Sequence, residues 1–183
     1  IVPVGKDQRQ HLEMCRDIAT TFNNTFGETF VIPEAQIEEQ VMTIPGTDGQ
    51  KMSKSYGNIL DIFLPEKELR KQVMSIKTDS TPVEAPKNPD ADNVFAIYKL
   101  IASPEKIQAM RNNYLNGNYG YGQAKQELFE VIWELYKAQR EAFNYYMSNL
   151  PELELKLRTG EEKARTIAAE VLGRVRSKLG FIS

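Results

Sequence analysis

The sequence predicts a mainly α-helical protein with a small α/β part at its amino end. Two observations predict this fold class. The first residues, IVPVG, have the pattern of a buried strand, and a glycine and an amphipathic helix follow, as in the first half of a parallel βαβ unit. From Pro65 onward, apolar residues recur at helical spacing. A strand that starts at residue 1 also predicts that the chain is a piece of a longer protein.

The amino-terminal part, residues 1–62, is expected to be the tail of an α/β sheet domain. Its helix is predicted from five residues at helical spacing: Leu12, Cys15, Ile18, Ala19 and Phe22. Asp7 with Gln10 has the form of an N-terminal capping box. Two short β-rich runs, ETFVIPEAQ and EEQVMTIPG, follow. Residues 46–57, GTDGQKMSKSYG, are predicted to form a surface loop because they are rich in glycine and small polar residues.

Residues 63–150 are expected to form a helical domain. PEKELRKQVMSI predicts a helix with Pro65 at its first position, and the three prolines of TDSTPVEAPKNPDAD predict the longest loop. NVFAIYKLIA predicts a short buried helix, and SPEKIQAMRNNYL predicts a helix with a serine cap. The run QAKQELFEVIWELYKAQREAFNYYMSNL predicts one long helix with Trp133 in or near the core.

Residues 151–183 are expected to form a C-terminal helix that packs back on the sheet domain. Thr159 and Glu162 have the form of a second capping box at its start. Positions 156–178 contain seven lysines and arginines but only three glutamates, at 161, 162 and 170. This excess of positive charge indicates either a contact with RNA phosphates or a solvated helix face, and residue types leave both open.

Composition excludes several classes of protein. With 41% apolar and 26% charged residues and a net charge of −2, the 183-residue chain is typical of a globular domain. One cysteine, Cys15, and one histidine, His11, exclude an internal disulfide and provide too few ligands for structural zinc, so we expect both to be packed in the core. No apolar run reaches membrane-spanning length. We therefore expect a cytoplasmic protein without a membrane partner.

The loop at 46–57 contains the residue types that bind phosphates. Lys51 and Lys54 place two ammonium groups close together, and serine hydroxyls and loop amides add further donors. The loop is not a Walker A motif, because the spacer between glycines and the Gly-Lys pair are absent. Residue types alone also fit a solvated polar turn.

The order of residues in this loop resembles a known family. KMSKS, residues 51–55, matches letter for letter the nucleotide-binding signature of class I aminoacyl-tRNA synthetases. VPVGKDQRQH resembles the segment of the tryptophanyl-tRNA synthetase family where a sheet strand gives way to a helix beside the amino acid and ATP. GYGQAK and EEKARTIAAEV are similar to its downstream part. The resemblance implies the C-terminal half of a Rossmann-like catalytic domain followed by a helical anticodon-binding bundle.

The resemblance also implies roles for single residues. Lys51 and Lys54 would be catalytic, Val4 and Gln8 would bind the amino acid substrate, with Gln8 at its polar end, and no residue would bind a metal directly. Val41 would line the adenine pocket. The residues expected to bind ATP, which acts as co-substrate with Mg²⁺, are Gly5, Lys6, Asp7, Val41, Lys51, Met52, Ser53, Lys54 and Ser55.

The activity that this resemblance implies is the attachment of L-tryptophan to tRNA(Trp) through an adenylate, by a cytoplasmic homodimer. The HIGH-type signature of the family is absent from the chain. We therefore expect the 183 residues alone to be inactive. Two alternatives remain at this stage: a relative of the tyrosyl enzyme, or a non-catalytic helical RNA-binding module. Tyr114, Tyr119 and Tyr121 could stack on RNA bases or pack a turn.

Overall fold

The computed structural model of the chain describes residues 1–37 and 44–181. The chain divides into two compact units, one formed by Ile1–Met42 with Asn149–Ser183 and the other by Thr43–Ser148. Helices dominate both units, and one short sheet lies in the first. The predicted mainly α fold with a small α/β part is confirmed. The domain boundaries at residues 62 and 150 stay predictions.

The first unit contains the predicted βαβ arrangement. Strand β1, Val2–Pro3, pairs in parallel with β2, Ala35–Gln36, with Val2 opposite Ala35. A 3-10 helix, Lys6–Gln8, and helix α1, Arg9–Phe26, connect the two strands. The expectation of a buried strand is not met in this chain, because Ile1 is 86% exposed and Pro3 is exposed.

Helix α1 differs from its prediction at the start. Residues 6–8 form the 3-10 helix first, so α1 begins at Arg9 with Gln8 as its cap and without a side-chain capping bond. The capping box predicted with Asp7 as the cap is therefore wrong. Only Leu12 and Ala19 of the predicted apolar face are buried.

Helix α7, Leu150–Lys178, passes through the position where a second capping box was predicted. The hydroxyl of Thr159 donates to the carbonyl of Leu155, four residues earlier, so Thr159 lies inside the helix instead of capping it. At the other end, the ammonium group of Lys178 donates to the carbonyls of Gly27 and Glu28, at 2.8 and 2.9 Å. This contact joins the end of α7 to the end of α1 within the first unit.

Four of the seven lysines and arginines between positions 156 and 178 of α7 have a partner within the protein. Arg158 and Lys156 each form an ion pair with a glutamate four residues earlier, and so does Arg165. Such pairs on an exposed helix contribute little energy but reduce the positive potential of the surface. Together with the Lys178 contact, they favour a solvated helix face over an RNA contact.

The second unit is a bundle of five α-helices in its described part: α2 Glu66–Met74, α3 Asn93–Tyr98, α4 Pro104–Asn116, α5 Tyr121–Leu135 and α6 Lys137–Ser148. As predicted, Ser103 caps α4 and α3 is buried. The long helix predicted over 123–150 is in fact two helices with a break at Tyr136. The core of the bundle is formed by Leu69, Val73, Ile76, Val94, Phe95, Ile97, Tyr98, Met110, Tyr114, Tyr119, Ala124, Leu128, Phe129 and Ile132.

The three tyrosines that flank the α4–α5 turn belong to this bundle. Tyr114 and Tyr119 are buried, and their hydroxyls donate to Asp92 and Glu127, each at 2.8 Å. Tyr121 donates to Asp79 at 2.6 Å. Burial raises the pKa of all three hydroxyls. The rings pack the turn, and stacking of Tyr114 and Tyr119 on RNA bases is excluded by their burial.

Candidate functional site

The lysine loop, residues 46–57, lies in the second unit and begins as a small hairpin. Pro45 and Lys51 form an antiparallel bridge, and the amide of Met52 donates to the carbonyl of Ile44 at 2.8 Å. The hairpin leads into a 3-10 turn, Lys54–Tyr56, which ends at Gly57 in the left-handed conformation, at φ 65°. The stretch is a loop, as its composition predicted.

Both lysines of this loop extend into solvent. Lys51 and Lys54 are exposed, whereas Met52 and Ser53 between them are half-buried. The hydroxyls of Ser53 and Ser55 lie 2.8 Å apart. Within the described part of the chain, neither ammonium group has a hydrogen bond or ion pair. Two ammonium groups and a hydroxyl pair are therefore available on one short segment, which suits an anionic ligand.

A residue that the sequence did not single out, Asn58, holds this loop. Its side chain is almost completely buried, with 3% of the residue exposed. Its Oδ1 accepts from the amide of Ser53 at 2.8 Å, and its Nδ2 donates to the carbonyl of Lys51 at 3.0 Å and to Asp48 at 2.7 Å. The sequence shows only an asparagine between a glycine-rich loop and the run ILDIF, a pattern that does not reveal its burial.

Two glycines allow this close packing. A Cβ on Gly46 would lie 2.3 Å from Nδ2 of Asn58, so only glycine fits beside the buried amide. Gly49 has φ +84° at the hairpin tip, and a Cβ there would lie 2.5 Å from Asn93. The Asn58 hydrogen bond is also the main cause that lowers the pKa of Asp48.

The hairpin is attached to the helical bundle at its tip. The amide of Lys77, just after α2, donates to the carbonyl of Thr47 at 2.7 Å. Asn93, the first residue of α3, donates from its side chain to the carbonyl of Lys77 at 2.8 Å. The tip of the hairpin is thus held by a backbone bond to Lys77, which Asn93 holds in turn, while the lysine side chains remain exposed.

The other predicted residues belong to the first unit, at the turn from β1 to α1. The amide of Val4 donates to the carbonyl of Gln36 at 3.1 Å, which ties the end of β1 to β2. The carbonyl of Gly5 accepts from the amide of Gln8 at 2.9 Å, and Oε1 of Gln8 lies 3.0 Å from Nδ1 of His11. Lys6 is exposed, and Asp7 lies in the 3-10 helix. Val41 lies outside the described residues.

The remaining candidates do not form a site in the described part of the chain. His11 and Cys15 are exposed, so the expectation that both pack in a core is wrong for this chain, whose α1 buries only one narrow stripe. No group of three or more acidic, histidine or cysteine side chains that could hold a metal occurs among the described residues. Nor does any helix described there have the length and apolar content to cross a bilayer.

A cavity of about 450 Å³ in the second unit contains none of the predicted site residues. The stacked rings of Phe63 and Phe143 line it together with Trp133 and Arg140. A more open depression of about 420 Å³ in the first unit is lined by Arg9, Arg16 and two glutamates, among others. Neither cavity adds a residue to the lysine loop.

Comparison with known proteins identifies the family. A family model described as "tRNA synthetases class I (W and Y)" matches residues 1–137. The tryptophan--tRNA ligase of Fusobacterium nucleatum is 47% identical over 183 residues, and that of Campylobacter jejuni is 45% identical over 181 residues. These alignments cover 100% and 99% of this chain but 56% and 57% of the relatives. The chain therefore spans a little more than half the length of the curated relatives that it matches.

Solved structures agree with this assignment. The tryptophanyl-tRNA synthetase of C. jejuni complexed with ADP and tryptophan matches with a TM-score of 0.85 and 45% identity, over 98% of this chain and 56% of that protein. The Mycoplasma pneumoniae enzyme, at 22% identity and a TM-score of 0.64, shares the fold. The extent of the family match, and the lysine loop within it, show that this chain belongs to the class I tRNA synthetases of the tryptophanyl and tyrosyl group.

Proposed function

We propose that the chain is part of a tryptophan--tRNA ligase, which joins L-tryptophan to ATP as tryptophanyl-adenylate, releases pyrophosphate and transfers the amino acid to tRNA(Trp). The curated relatives at 40–47% identity are all tryptophan--tRNA ligases, which does not favour the tyrosyl or the non-catalytic alternative. Because the chain spans about 56% of such a relative, the proposal concerns the longer protein, to which these residues would contribute.

The lysine loop is the observation on which this proposal depends. Its two ammonium groups are exposed and without a partner in the described chain, while its backbone is held by the buried Asn58. Side chains that are free on a fixed backbone can bind an anion without first breaking internal ion pairs. A triphosphate is the ligand that fits two closely spaced cations with adjacent hydroxyl donors.

The proposed chemistry assigns the loop a role in the first step. The tryptophan carboxylate attacks the α-phosphorus of ATP, the bond to the β-phosphate oxygen breaks, and negative charge develops on the leaving pyrophosphate. Lys51 and Lys54 would stabilise that charge, with Met52, Ser53 and Ser55 completing the loop around the phosphates. Displacement at phosphorus depends mainly on positioning and charge stabilisation, which exposed lysines on a short loop can supply.

The β1–α1 turn would bind the remainder of ATP and the amino acid. Gly5, Lys6 and Asp7 would lie along ATP, with Val4 and Gln8 at tryptophan. The carboxyl end of a parallel strand followed by a helix start is a common place for such ligands, since backbone N–H groups there have no intrahelical partner. The C. jejuni relative, whose structure holds ADP and tryptophan, supports the binding of these two kinds of ligand. Val41 would line the adenine pocket.

The Mg²⁺ ion expected for this reaction does not fit a protein-built site here. The described residues contain no cluster of acidic, histidine or cysteine side chains that could hold a metal. Mg²⁺ commonly enters phosphate-transfer sites bound to the substrate phosphates themselves. We therefore assign it to the phosphates of ATP.

Further parts of the proposal concern the whole enzyme. Residues 1–62 would complete the catalytic domain, residues 63–150 would contact the tRNA anticodon, and residues 151–183 would pack back on the catalytic domain. The contact of Lys178 with Gly27 and Glu28 supports the last of these. The full-length protein would act as a homodimer in the cytoplasm.

The direct test is amino-acid-dependent ATP–pyrophosphate exchange by the full-length enzyme that carries this chain. Exchange should require tryptophan and should be absent with tyrosine at the same concentration. Exchange driven by tyrosine would overturn the tryptophan assignment, and no exchange with either amino acid would overturn the proposed activity.

A second test addresses tRNA binding by the 183 residues themselves. Filter binding with tRNA(Trp) at low and raised salt should show a salt-sensitive affinity, because phosphate contacts release counterions. An unrelated tRNA of the same length is the matched control for sequence-independent binding. Equal retention of both tRNAs would contradict a specific anticodon contact by these helices.

A further inference from the structure

We infer that Asn58 is a positioning residue of the lysine loop, an inference that rests on the proposed function of that loop. It lies outside the KMSKS signature, at the third position after Ser55. Its side chain does not reach solvent and so does not touch ATP directly. It would act by fixing the backbone that carries Lys51 and Lys54.

The Asn58 amide uses both of its N–H donors and its carbonyl acceptor. A carboxamide has two N–H donors and one carbonyl acceptor. The acceptor binds the amide of Ser53, one donor binds the carbonyl of Lys51, and the other binds Oδ1 of Asp48. No other natural side chain of this size offers two donors and an acceptor in one plane, so the site specifies asparagine.

The Asn58 amide joins residues on both sides of Met52 and on both sides of the hairpin. Lys51 and Ser53 lie on either side of Met52, so the Asn58 side chain fixes the backbone both before and after that residue. Asp48 belongs to the opposite side of the hairpin, and the backbone carbonyl of Asn58 also accepts from Thr47 at 2.9 Å. Asn58 thereby cross-links the two sides of the hairpin with the start of the 3-10 turn that carries Lys54.

The hydrogen bonds of Asn58 would hold the lysine loop in position for the proposed reaction. Stabilisation of charge on a leaving group depends on donors that are already in position, since reorganising them adds to the barrier. Without the Asn58 side chain, the amide of Ser53 and the carbonyl of Lys51 lose their partners and the stem of each lysine can take other directions. The loss should therefore affect the rate of adenylate formation more than the binding of tryptophan.

The first experiment measures amide hydrogen exchange in the 183-residue chain. Asn58→Ala should accelerate exchange at Ser53 about tenfold or more, since one hydrogen bond that closes the loop is lost. Exchange at Leu69 in the buried core should stay as in the parent. Asn88→Ala is the matched control, because it removes an amide that accepts only a local bond, from Asp90, in the same unit. Unchanged exchange at Ser53 would overturn the inference.

The second experiment measures tryptophan-dependent ATP–pyrophosphate exchange by the full-length enzyme with the same substitutions. Asn58→Ala should lower kcat about tenfold and change the KM for tryptophan less than about twofold, since only the loop geometry is altered. Asn88→Ala should match the parent. A parent that shows no exchange refutes the proposed function, whereas an active parent with an equally active Asn58→Ala variant refutes the role of Asn58.

Asn58→Asp keeps the size of the side chain and tests the role without a cavity. The introduced carboxylate would face Asp48, on which the charge of Lys77 also acts, so the two acids would repel unless they share a proton. The ratio of variant to parent kcat should therefore rise as the pH falls from about 7 to about 5, the range in which a pair of neighbouring carboxylates takes up its first proton and regains one hydrogen bond. A ratio that does not change with pH would contradict the proposed contact between residues 48 and 58.

Discussion

The guanidinium carbon of Arg140 lies 3.8 Å from the centroid of the Trp133 ring. The same guanidinium donates to the carbonyls of Ile132 and Trp133 in the last turns of α5. Carbonyls at the end of a helix often need donors from outside its regular backbone pattern, and here a side chain of the next helix supplies two. The contact lies at the junction between α5, which ends at Leu135, and α6, which begins at Lys137.

Arg140→Gln should destabilise the bundle. The substitution removes the cation from the indole face and at least one donor from the carbonyls, for an expected loss of about 1–3 kcal/mol. Trp133 is the only tryptophan of the chain, so its fluorescence reports the contact directly. The emission of the folded variant should differ from that of the parent, and the urea midpoint should fall.

The control for this prediction is Arg174→Gln, which removes an exposed arginine of α7. It should leave the emission spectrum and the midpoint unchanged. An Arg140→Gln variant with the parent's spectrum and midpoint would show that the contact with Trp133 does not stabilise the break.

Tyr114→Phe should destabilise the chain through a single lost hydrogen bond. The Tyr114 hydroxyl is completely buried and donates to Asp92, which also accepts from the amide of Phe95 at the start of α3. Removal of a buried donor should lower the free energy of unfolding by about 1–2 kcal/mol, measured by urea denaturation. Tyr56→Phe, at a ring that is 66% exposed, is the control and should change it little. Equal losses in both variants would argue against this role of the Asp92 bond.

Local patterns in the sequence predicted the helices of the second unit well. Leu69, Val73 and Ile76 have helical spacing, and all three are buried as that spacing requires. The Ser103–Pro104 start of α4 follows from capping chemistry within four residues. Both features depend on neighbours in sequence, which is why a single sequence reveals them.

Features that depend on contacts between residues separated in the sequence could not be predicted from local patterns. The break after α5 lies beside a contact of Arg140 with the carbonyls of Ile132 and Trp133, whereas the helical pattern places Arg140 on the same continuous helix. Thr159 has the form of a cap, but its hydroxyl donates to the carbonyl of Leu155 inside the helix. The sequence alone does not distinguish a threonine that caps a helix from one that bonds back in this way. Asn58 was missed because its role is set by groups at positions 48, 51 and 53 that only folding brings together. The roles of the KMSKS residues came from the resemblance and stay predictions.

The ion pair between Asp90 and Arg111 should make stability depend on acid pH. Arg111 donates to both oxygens of Asp90, at 2.6 and 2.9 Å, and these hydrogen bonds lower the pKa of Asp90 below its ordinary value of 3.8. A lowered pKa in the folded state stabilises it above the ordinary pKa, and this contribution disappears as the pH falls through the folded value.

Asp90→Asn should therefore have a lower melting temperature than the parent at neutral pH, and the difference should shrink as the pH falls below 3.8 toward the lower pKa of the folded state. Since the pair is exposed, the effect should be small and should shrink in high salt. Asp17→Asn, at another exposed carboxylate, is the control for the loss of one negative charge. A difference that persists undiminished in acid would contradict the assigned cause.

The isolated 183 residues should show no tryptophan-dependent ATP–pyrophosphate exchange. The chain covers about 56% of a tryptophan--tRNA ligase and contains no HIGH-type sequence, so part of the groups that would position ATP is missing. The assay should be run beside the full-length enzyme at equal molar concentration. Measurable exchange by the isolated chain would show that the lysine loop and the β1–α1 turn are sufficient for activation.

Lys54→Ala in the full-length enzyme should lower the rate of tryptophan activation about a hundredfold, as expected when one donor to a developing negative charge is removed. The Kd for tryptophan should change little, because the lysine is assigned to the phosphates. Lys106→Ala, at an exposed lysine of α4, is the control for the loss of one positive charge and should match the parent.

Lys54 lies in a 3-10 turn that ends at a glycine with positive φ, whereas Lys51 lies in the hairpin bridge. If Lys51 and Lys54 act mainly in the transition state, Lys51→Ala and Lys54→Ala should each lower kcat with little change in tryptophan binding. Equal exchange rates for Lys54→Ala and the parent would remove the loop from the mechanism.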